Sequence, residues 1–388
     1  MSGQCSSIDI WGALRETEFP VTRQWAYFDH AAVAPLPRRS GNVLRAWTQE
    51  QELNGCVHWP EWEAKLEVIR GDVARLIGAD PEEVAFVNST TQGLGLIAEG
   101  FPWNDGDNVV TVSEEYPSNI YPWMNLADRG VSLRTVPSRD GRVWVEDLAN
   151  AMDARTRLLT ISYVEWTSGF RNDLDALADV CQSKGAALCL DAIQGLGALT
   201  IDVRRTPVDF VCADGHKWLL GPEGAGFLYV RRDWIDRLRP LGVGWHSVVG
   251  SYNDPLNVYQ LKPNAQRWEG GSFNMPGLQA FGASVGLFHE LGPDRVSRRV
   301  LENAEKGRRV AESCGWTVVG SRRPEDLSGI VALERSGTDP DAVVRFLRER
   351  GVALACRRGR LRISAHCYNN DDDFDRLERA LRDANQGL

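Results

Sequence analysis

Lys217 stands in the chemical setting of a lysine that reacts through its amine. The chain has 44 lysine and arginine residues, and only five of them are lysines. Lys217 lies in the apolar, glycine-bounded segment 212–222, directly after the strand-like residues 209–213. Burial disfavours the charged ammonium and lowers the pKa of a lysine, which suits the side chain for Schiff-base chemistry. A buried lysine is also a common ion-pair partner, so its role depends on what lies opposite.

Asp191 is the residue expected to lie opposite Lys217. It ends the apolar run 186–190, which is typical of a parallel strand buried on both faces. Ligands of open α/β sheets bind at the carboxyl ends of the strands, so the two side chains are expected to converge there. Pyridoxal phosphate requires such a pair, because a lysine forms the Schiff base and a carboxylate keeps the pyridine nitrogen protonated. The pair predicts a pyridoxal 5'-phosphate site.

Three motifs contain or follow these residues: Asp-Ala-Ile-Gln at 191–194, Gly-His-Lys-Trp-Leu-Leu-Gly-Pro at 215–222 and Gly-Ala-Gly at 224–226. Together they resemble the class V aminotransferase family of fold-type I pyridoxal phosphate enzymes. That family includes cysteine desulfurases, isopenicillin N epimerase-like proteins and kynureninases. The resemblance runs from residues 27–35 to residues 362–369. It implies a three-layer α/β large domain with a mostly parallel sheet, and a small α+β C-terminal domain.

The resemblance places the cofactor phosphate where residues 88–93 leave a strand and enter a helix. Hydroxyls and free backbone N–H groups at such a point bind phosphate well, although an ordinary Ser/Thr N-cap gives the same pattern. Thr90 and Thr91 are the predicted phosphate ligands, with His216 as a further donor. Asp214 stands where the family often has a small hydroxyl residue. We expect its carboxylate to point away from the phosphate or to bind a neighbouring donor.

Two residues are predicted beside the pyridine ring. Cysteine desulfurases carry a histidine at the position of Tyr116. The tyrosine offers the same stacking surface to the pyridine ring, but it has no imidazole for proton transfer. Gln194 is predicted to hydrogen-bond the phenolic oxygen of the cofactor. Trp166 replaces an asparagine that desulfurases place near that oxygen, so it either shapes the substrate side of the pocket or only packs.

The substrate side is assigned to Arg362, which lies in a short apolar strand. By resemblance it grips the α-carboxylate of the substrate, a planar match that arginine makes and lysine does not. His30, in segment 27–35 where the resemblance begins, is predicted to bind substrate as well. Segment 267–274 resembles the family segment that crosses the dimer interface, although a plain glycine turn would look alike. Ser272 is therefore predicted to reach the partner's phosphate, in a homodimer with shared active sites.

One absence separates the possible activities. Cysteine desulfurases insert a loop with a nucleophilic cysteine before the family arginine, but residues 357–362 run directly through, with Cys356 and Cys367 outside any such loop. The resemblance implies an enzyme that acts on an α-amino acid through an external aldimine and a Cα carbanion, as a lyase or aminotransferase of the isopenicillin N epimerase-like branch. A cysteine desulfurase or carbon–sulfur lyase is the alternative, and a non-catalytic cofactor-binding scaffold is a remote one. Residues 88–95 lack the glycine fingerprint of a nicotinamide-binding protein.

The composition limits the classes of binding partner and the cellular compartment that we expect for this protein. The 388 residues carry a net charge of −9, which argues against nucleic acid or an anionic membrane as the main partner. No secretory signal is readable at the start, and no apolar run reaches the roughly 18 residues of a membrane span. The eight cysteines are scattered without paired spacing and are expected to be buried thiols of a reducing compartment. The expected localisation is cytoplasmic, with a small amino-acid substrate as the ligand.

The elements that must position these residues follow from the alternation of apolar runs. An N-terminal arm is predicted at 1–30, a large cofactor-binding domain at 31–285 and a small C-terminal domain at 286–388. Strands separated by helix-length connections imply a mostly parallel sheet covered on both faces. The predicted strands are 84–87, 108–112, 132–136, 157–163, 187–191, 210–213, 226–230, 329–333 and 360–364. The predicted helices are 62–77, 92–100, 119–128, 174–184, 295–314, 340–350 and one from 371.

Overall fold

Helices and short strands alternate along the chain in the computed structural model, which describes residues 9–250 and 259–387. The α-helices are α1 (Ile10–Glu18), α2 (Arg38–Asn54), α3 (Trp59–Ile77), α4 (Thr90–Gly100), α5 (Tyr121–Met124), α6 (Val145–Ala151), α7 (Leu174–Lys184), α8 (Met275–Leu291), α9 (Pro293–Ser313), α10 (Pro340–Glu349) and α11 (Asp371–Gly387). The β-strands are β1 (Ala26–Tyr27), β2 (Val84–Val87), β3 (Asn108–Val112), β4 (Ser132–Val136), β5 (Thr156–Ser162), β6 (Ala187–Asp191), β7 (Phe210–Asp214), β8 (Gly226–Val230), β9 (Thr317–Val318), β10 (Ile330–Glu334), β11 (Val352–Ala353), β12 (Ala355–Arg357) and β13 (Arg360–Ser364).

A seven-stranded sheet in the order β2-β8-β7-β6-β5-β3-β4 forms the centre of the large unit. Strands β4, β3, β5, β6 and β7 run parallel, and β8 and β2 are antiparallel to their neighbours. Alternate strand residues enter two separate cores. Leu188 and Leu190 face the core that includes α3, α7 and α8, whereas Ala187 and Cys189 face the core that includes α4 and α5. The expected three-layer α/β architecture is therefore confirmed.

The C-terminal unit is built on an antiparallel sheet in the order β12-β13-β10-β9. Its core includes apolar residues of α9, α10 and α11 and one face of the sheet, including Leu361 and Ile363. The N-terminal segment joins this unit, because β1 pairs parallel with β11 and Arg15 of α1 forms a 2.7 Å ion pair with Asp373 of α11. Helix α8 runs across residues 285 and 286. The division at residues 30 and 285 stays a prediction.

The structure differs from the predicted elements mainly at their ends. The helix expected over 119–128 is broken into a short turn at Pro117–Asn119, the four-residue α5 and a further turn at Asn125–Arg129. Two prolines in this stretch remove backbone donors, which prevents a continuous helix. Helix α4 begins at Thr90 rather than residue 92, because Ser89 supplies the N-cap and accepts from the backbone N–H of Gln92. Helices α1, α2, α6 and α8 were not predicted.

The described cysteines are all free, but they are not all buried as expected, since Cys56 is exposed and Cys356 is partly exposed. Within the two described ranges, no helix combines the length and the apolar composition needed to cross a membrane.

Candidate active site

Most of the predicted site residues lie at or just after the carboxyl ends of strands of the central sheet. Asp191 is the last residue of β6, and it pairs in register with Ser162 of β5 and Cys212 of β7. Lys217 follows β7 by three residues, and Thr90 begins α4 just after β2. Strand ends in this position form the ligand-binding edge of an open α/β sheet. The topology therefore explains why residues far apart in sequence share one site.

Lys217 is 9 % exposed and lies in a tight turn. Burial lowers its pKa from 10.5 to about 8, against the opposing effect of Asp191. Its Nζ lies 5.4 Å from the ring centroid of Tyr116. The turn requires close packing, because a Cβ on Gly215 would lie 2.8 Å from the carbonyl oxygen of Ala225. The lysine is held as a partly neutral amine in a fixed position.

Asp191 is buried behind Lys217, and its Oδ1 accepts a 3.0 Å hydrogen bond from the backbone N–H of Ile193. Burial raises its pKa to about 6, and that hydrogen bond and Lys217 oppose the rise. A buried carboxylate in this condition gains stability from a cationic partner. The protonated nitrogen of a pyridine ring is such a partner.

The N-terminus of α4 gathers the hydroxyls predicted to bind phosphate. Thr90 Oγ1 accepts a 3.0 Å hydrogen bond from the backbone N–H of Asp214, and this leaves its hydroxyl proton free to be donated elsewhere. Thr91 Oγ1 lies 2.7 Å from Ser118 Oγ, a hydroxyl that was not predicted. Helix N-termini with such hydroxyls bind anions well.

Asp214 and His216 form a pair at the same end of the site. Asp214 Oδ2 lies 3.1 Å from His216 Nδ1, and Asp214 Oδ1 has no hydrogen-bond partner among the described residues. The carboxylate thus lies close to the imidazole, but His216 Nδ1 also has no hydrogen-bond partner among the described residues, so the expected orientation of Asp214 stays a prediction.

Tyr116 and Trp166 form an aromatic pair on the solvent-exposed side of the site. Tyr116 is 44 % exposed, and its ring meets the Trp166 ring edge-on at 5.4 Å. Trp166 Nε1 donates a 2.8 Å hydrogen bond to the carbonyl of Glu114. An exposed ring near Lys217 is free to stack on a flat ligand, whereas Trp166 is held in place by its own hydrogen bond.

Gln194 has a fixed orientation. Its Oε1 accepts a 3.1 Å hydrogen bond from Trp218 Nε1, and its Nε2 donates to the carbonyl of Ala31 at 3.0 Å. An indole nitrogen can only donate, so the amide oxygen must face Trp218. The second N–H of Gln194 remains for another acceptor, which agrees with its predicted contact to a phenolic oxygen.

Arg362 presents one unpaired edge of a buried guanidinium. It is 1 % exposed, and its Nη1 donates to the carbonyl of Trp166 at 3.2 Å. Asp29 Oδ1 lies 3.5 Å from Nη2, yet neither Nε nor Nη2 has a hydrogen-bond partner among the described residues. Burial lowers the pKa of Arg362 to about 10, and Asp29 opposes the effect. Two unpaired donors on one edge suit a bidentate carboxylate.

Two predicted residues are not gathered into this constellation. His30 is fully buried, with Nδ1 2.8 Å from the carbonyl of Ser364 and Nε2 2.7 Å from the hydroxyl of Tyr368. Both ring nitrogens are therefore engaged by the protein and leave no polar contact for a substrate. Ser272 is exposed on the surface of the chain. Its predicted contact would require a second copy.

The buried carboxyls Glu115 and Glu165 near Asp191 were missed in the sequence. Glu115 accepts from both the backbone N–H and the hydroxyl of Ser162, and burial raises its pKa to about 8. Glu165 accepts a 2.8 Å hydrogen bond from Asn172 Nδ2, and burial raises its pKa well above the ordinary value. Their positions in the sequence, just after β3 and β5, could have indicated that both acidic residues lie near the ligand-binding edge of the sheet. Protonation of these groups limits the negative charge around Asp191.

The residues present fit pyridoxal phosphate at each of its functional groups. Thr91 and His216 lie at the anion-binding end, Asp191 offers a buried carboxylate, and Lys217 offers an amine. Arg362 keeps two donors for a carboxylate beyond the cofactor. The donors of buried Arg362 that lack hydrogen-bond partners are the ones that the carboxylate of an α-amino acid would satisfy.

The rate of cofactor reloading is expected to depend on pH through Lys217. Only the neutral amine attacks an aldehyde, and its fraction rises about tenfold per pH unit below the pKa. With a pKa of about 8 rather than 10.5, the rate of yellow-complex formation from cofactor-free protein should rise up to about pH 8 and then level off. Absorbance after stopped-flow mixing measures this, and a rate still rising steeply at pH 10 would contradict it.

Comparisons with known proteins show the family and the fold of the chain. The family model described as aminotransferase class-V matches residues 26–377. A probable cysteine desulfurase of Methanothermobacter thermautotrophicus is 29 % identical, over 94 % of this chain and 96 % of that protein. Isopenicillin N epimerase of Streptomyces clavuligerus is 31 % identical, over 82 % and 84 %. A solved structure of a C-DES variant, with glycine covalently linked to its pyridoxal phosphate, matches with a TM-score of 0.88 at 22 % identity, over 95 % and 99 %.

Proposed function

Because the chain belongs to the aminotransferase class V family, we propose that Lys217, Asp191 and Arg362 are the centre of an amino-acid lyase or aminotransferase. The protein is an enzyme of this family, and its cofactor is pyridoxal 5'-phosphate. The unpaired Nε and Nη2 edge of buried Arg362 carries the proposal, because it awaits a carboxylate on the substrate side of Lys217. A structural arginine would be expected to have its donors satisfied.

Each residue performs one task in the proposed reaction. When bound, the cofactor supplies an aldehyde for the substrate amine and a ring that accepts the electron pair from the substrate α-carbon. Arg362 orients the substrate by gripping its α-carboxylate, and Lys217 removes the α-proton as general base. Asp191 holds a proton on the pyridine nitrogen by charge pairing. Tyr116 covers the ring face and limits access of water.

The hairpin before Arg362 supports a branch other than cysteine desulfuration. Strands β12 and β13 are joined by Arg358 and Gly359 alone, so no cysteine-bearing loop lies there. Burial raises the pKa of Cys356, and it raises that of Cys367 to about 12. A thiol in that condition is a poor nucleophile. The name of the archaeal relative keeps desulfuration, or carbon–sulfur cleavage without a protein thiol, as the second candidate.

Removing either of these two thiols is expected to leave catalysis almost unchanged. Cys356→Ser and Cys367→Ser should keep the rate within a few-fold of the parent, and no protein persulfide should form with cysteine as substrate. Activity assays and mass spectrometry of the intact protein measure this, with Cys56→Ser as the exposed-thiol control. Loss of activity with the fold and the cofactor retained, or a trapped persulfide on either thiol, would establish the desulfurase alternative.

A product assay on the holoenzyme tests the proposed activity directly. Amino acids are supplied with and without a keto-acid acceptor, and the products are identified by mass spectrometry. Release of a keto acid with ammonia or sulfide indicates a lyase, and a new amino acid indicates an aminotransferase. If no amino acid on a broad panel is converted or changes the cofactor spectrum, the proposed function is wrong.

A homodimer with shared sites completes the proposal. The exposed Ser272 follows Glu269, which is anchored by a buried ion pair with Arg70, so the segment is firmly held at its start. Mixing Lys217→Ala chains with chains substituted at Gly271 and Ser272 should restore partial activity, because hybrid dimers carry one intact site. A fully active monomer, or no restoration in proven hybrids, would refute shared sites.

The free cysteines support a cytoplasmic, reducing location.

A further inference from the structure

The hairpin formed by β12 and β13 places several arginines on one face. Residues Ala355 and Arg362 are opposite each other in register, as are Arg357 and Arg360. Side chains alternate across a strand, so Arg357, Arg360 and Arg362 share a face. The intervening Leu361 faces the opposite way, into the C-terminal core. The arginine face is the face that contacts Trp166 and Asp29 through Arg362.

The charges on this face do not balance. Arg360 Nε donates to Glu334 at 2.5 Å, and Arg362 has Asp29 at 3.5 Å. Arg357 donates only to the carbonyl of its neighbour Cys356, and it forms no ion pair with any described carboxylate. Its positive charge is nevertheless felt at the site, since it lowers the pKa of both Lys217 and Arg362. Arg357 therefore has no carboxylate in ion-pair contact, and the Asp29 carboxylate that its charge also reaches is already paired with Arg362.

A second unpaired arginine lies at the turn. Arg358 has a φ of +48°, and Gly359 has a φ of +76°. Left-handed backbone is uncommon for a residue with a side chain, and asparagine or glycine is the usual choice at this place in a two-residue turn. The guanidinium carbon of Arg358 lies 5.3 Å from the Trp166 ring, and no ion pair of Arg358 occurs among the described residues. Residues with strained backbones cluster at ligand-binding sites, so a functional role for the Arg358 side chain is reasonable.

The separation of these arginines suits a short substrate with two anionic groups. Arg357 is the diagonal neighbour of Arg362 across the hairpin, and diagonal pairs have backbones about 7–8 Å apart, within reach of long side chains. If Arg362 takes the α-carboxylate, Arg357 and Arg358 lie where the side chain of the same amino acid would extend. Guanidinium groups pair carboxylates in a planar, bidentate manner.

We propose that the substrate is an α-amino acid whose side chain ends in a carboxylate, with Arg357 and Arg358 as the residues that select it. This inference rests on the proposed function and adds the substrate class. Trp166 positions the selecting group, because its ring supports Arg358 and its carbonyl holds Arg362. Neutral amino acids of the same shape would leave two cations without partners.

The test is a spectral titration of the bound cofactor in the holoenzyme, before turnover, with aspartate and glutamate against their amide isosteres asparagine and glutamine. The acids are expected to bind at least about tenfold tighter, since a charged hydrogen bond contributes that much. In the variant carrying Arg357→Gln and Arg358→Gln, the preference should fall to within about twofold. Alanine should bind equally to both proteins. Arg360→Gln is the matched control, because Glu334 already neutralises that arginine, and it should keep the preference.

The outcomes separate this inference from the proposed function. If the spectral titration shows that the amides and alanine bind as tightly as the acids, the inference that Arg357 and Arg358 select the substrate is wrong, while the proposed function stands. Preference for acids that persists in the double variant also overturns it. If no amino acid of either kind changes the spectrum, the proposed function itself fails, and this inference fails with it.

Discussion

Replacing Lys217 with alanine is expected to reduce turnover by about 10⁴-fold or more, since the variant loses both a covalent attachment and a general base. The turn that holds this lysine is closely packed, because a Cβ on Gly215 would lie 2.7 Å from the Phe281 ring. Borohydride treatment of the parent should attach the pyridoxyl group to Lys217. Peptide mass spectrometry locates the label, and a kinetic assay measures the loss.

Two control variants separate this role from general loss of lysine. Lys184→Ala removes a side chain whose amine contacts the carbonyl of Met152 at 3.5 Å, and Lys306→Ala removes a surface partner of Asp371. Both variants should retain parental rates. A label mapped to either of these lysines, or a Lys217→Ala enzyme with more than a small fraction of parental turnover, would refute the assignment.

Replacing Asp191 with asparagine is expected to lower turnover by about two to three orders of magnitude, the size of effect produced by removing one preorganised electrostatic partner. The two side chains have nearly the same shape, so the fold and much of the cofactor should be retained. The amide cannot hold a proton on the pyridine nitrogen by charge pairing. Steady-state kinetics measure the loss, and the cofactor absorption spectrum reports retention.

Glu165→Gln is the matched control for this prediction. Glu165 is also a buried carboxyl near the site, but burial raises its pKa and keeps it neutral, so the amide should be a close substitute. Parental turnover is expected within a few-fold. Near-normal turnover of Asp191→Asn would show that the enzyme does not use a protonated ring, and an equal loss in both variants would indicate a structural cause.

The positions of the central strands and the mostly parallel character of their sheet were predictable because they follow from local signals. Apolar runs that end in Asp191 or precede Lys217 identify buried parallel strands, and parallel strands bring their carboxyl ends to one edge. The orientations of side chains were less accessible. Trp218 fixes Gln194 by a donor that has no alternative, and this depends on a contact between two segments that the sequence does not reveal.

His30 shows where motif reasoning is limited. Its place in a motif suggested a substrate contact, but the fold brings Ser364 and Tyr368 against its two ring nitrogens. Both partners lie more than 300 residues further along the chain, so no local pattern could have indicated them. Asp29, the adjacent residue, is the one that reaches Arg362. Segment 27–35 therefore contacts Arg362 through Asp29 rather than through His30.

The two-residue turn between β12 and β13 is a position where the fold can tolerate an insertion. Strand β12 is an edge of its sheet, and Arg358 and Gly359 are exposed, so an insertion there disturbs little packing. Each doubling of loop length costs only about 0.6 kcal/mol in closure entropy. Lengthening this turn therefore changes which groups reach the substrate while Lys217 and Asp191 stay in place. Descendants of such a scaffold can diverge in reaction type through a single insertion.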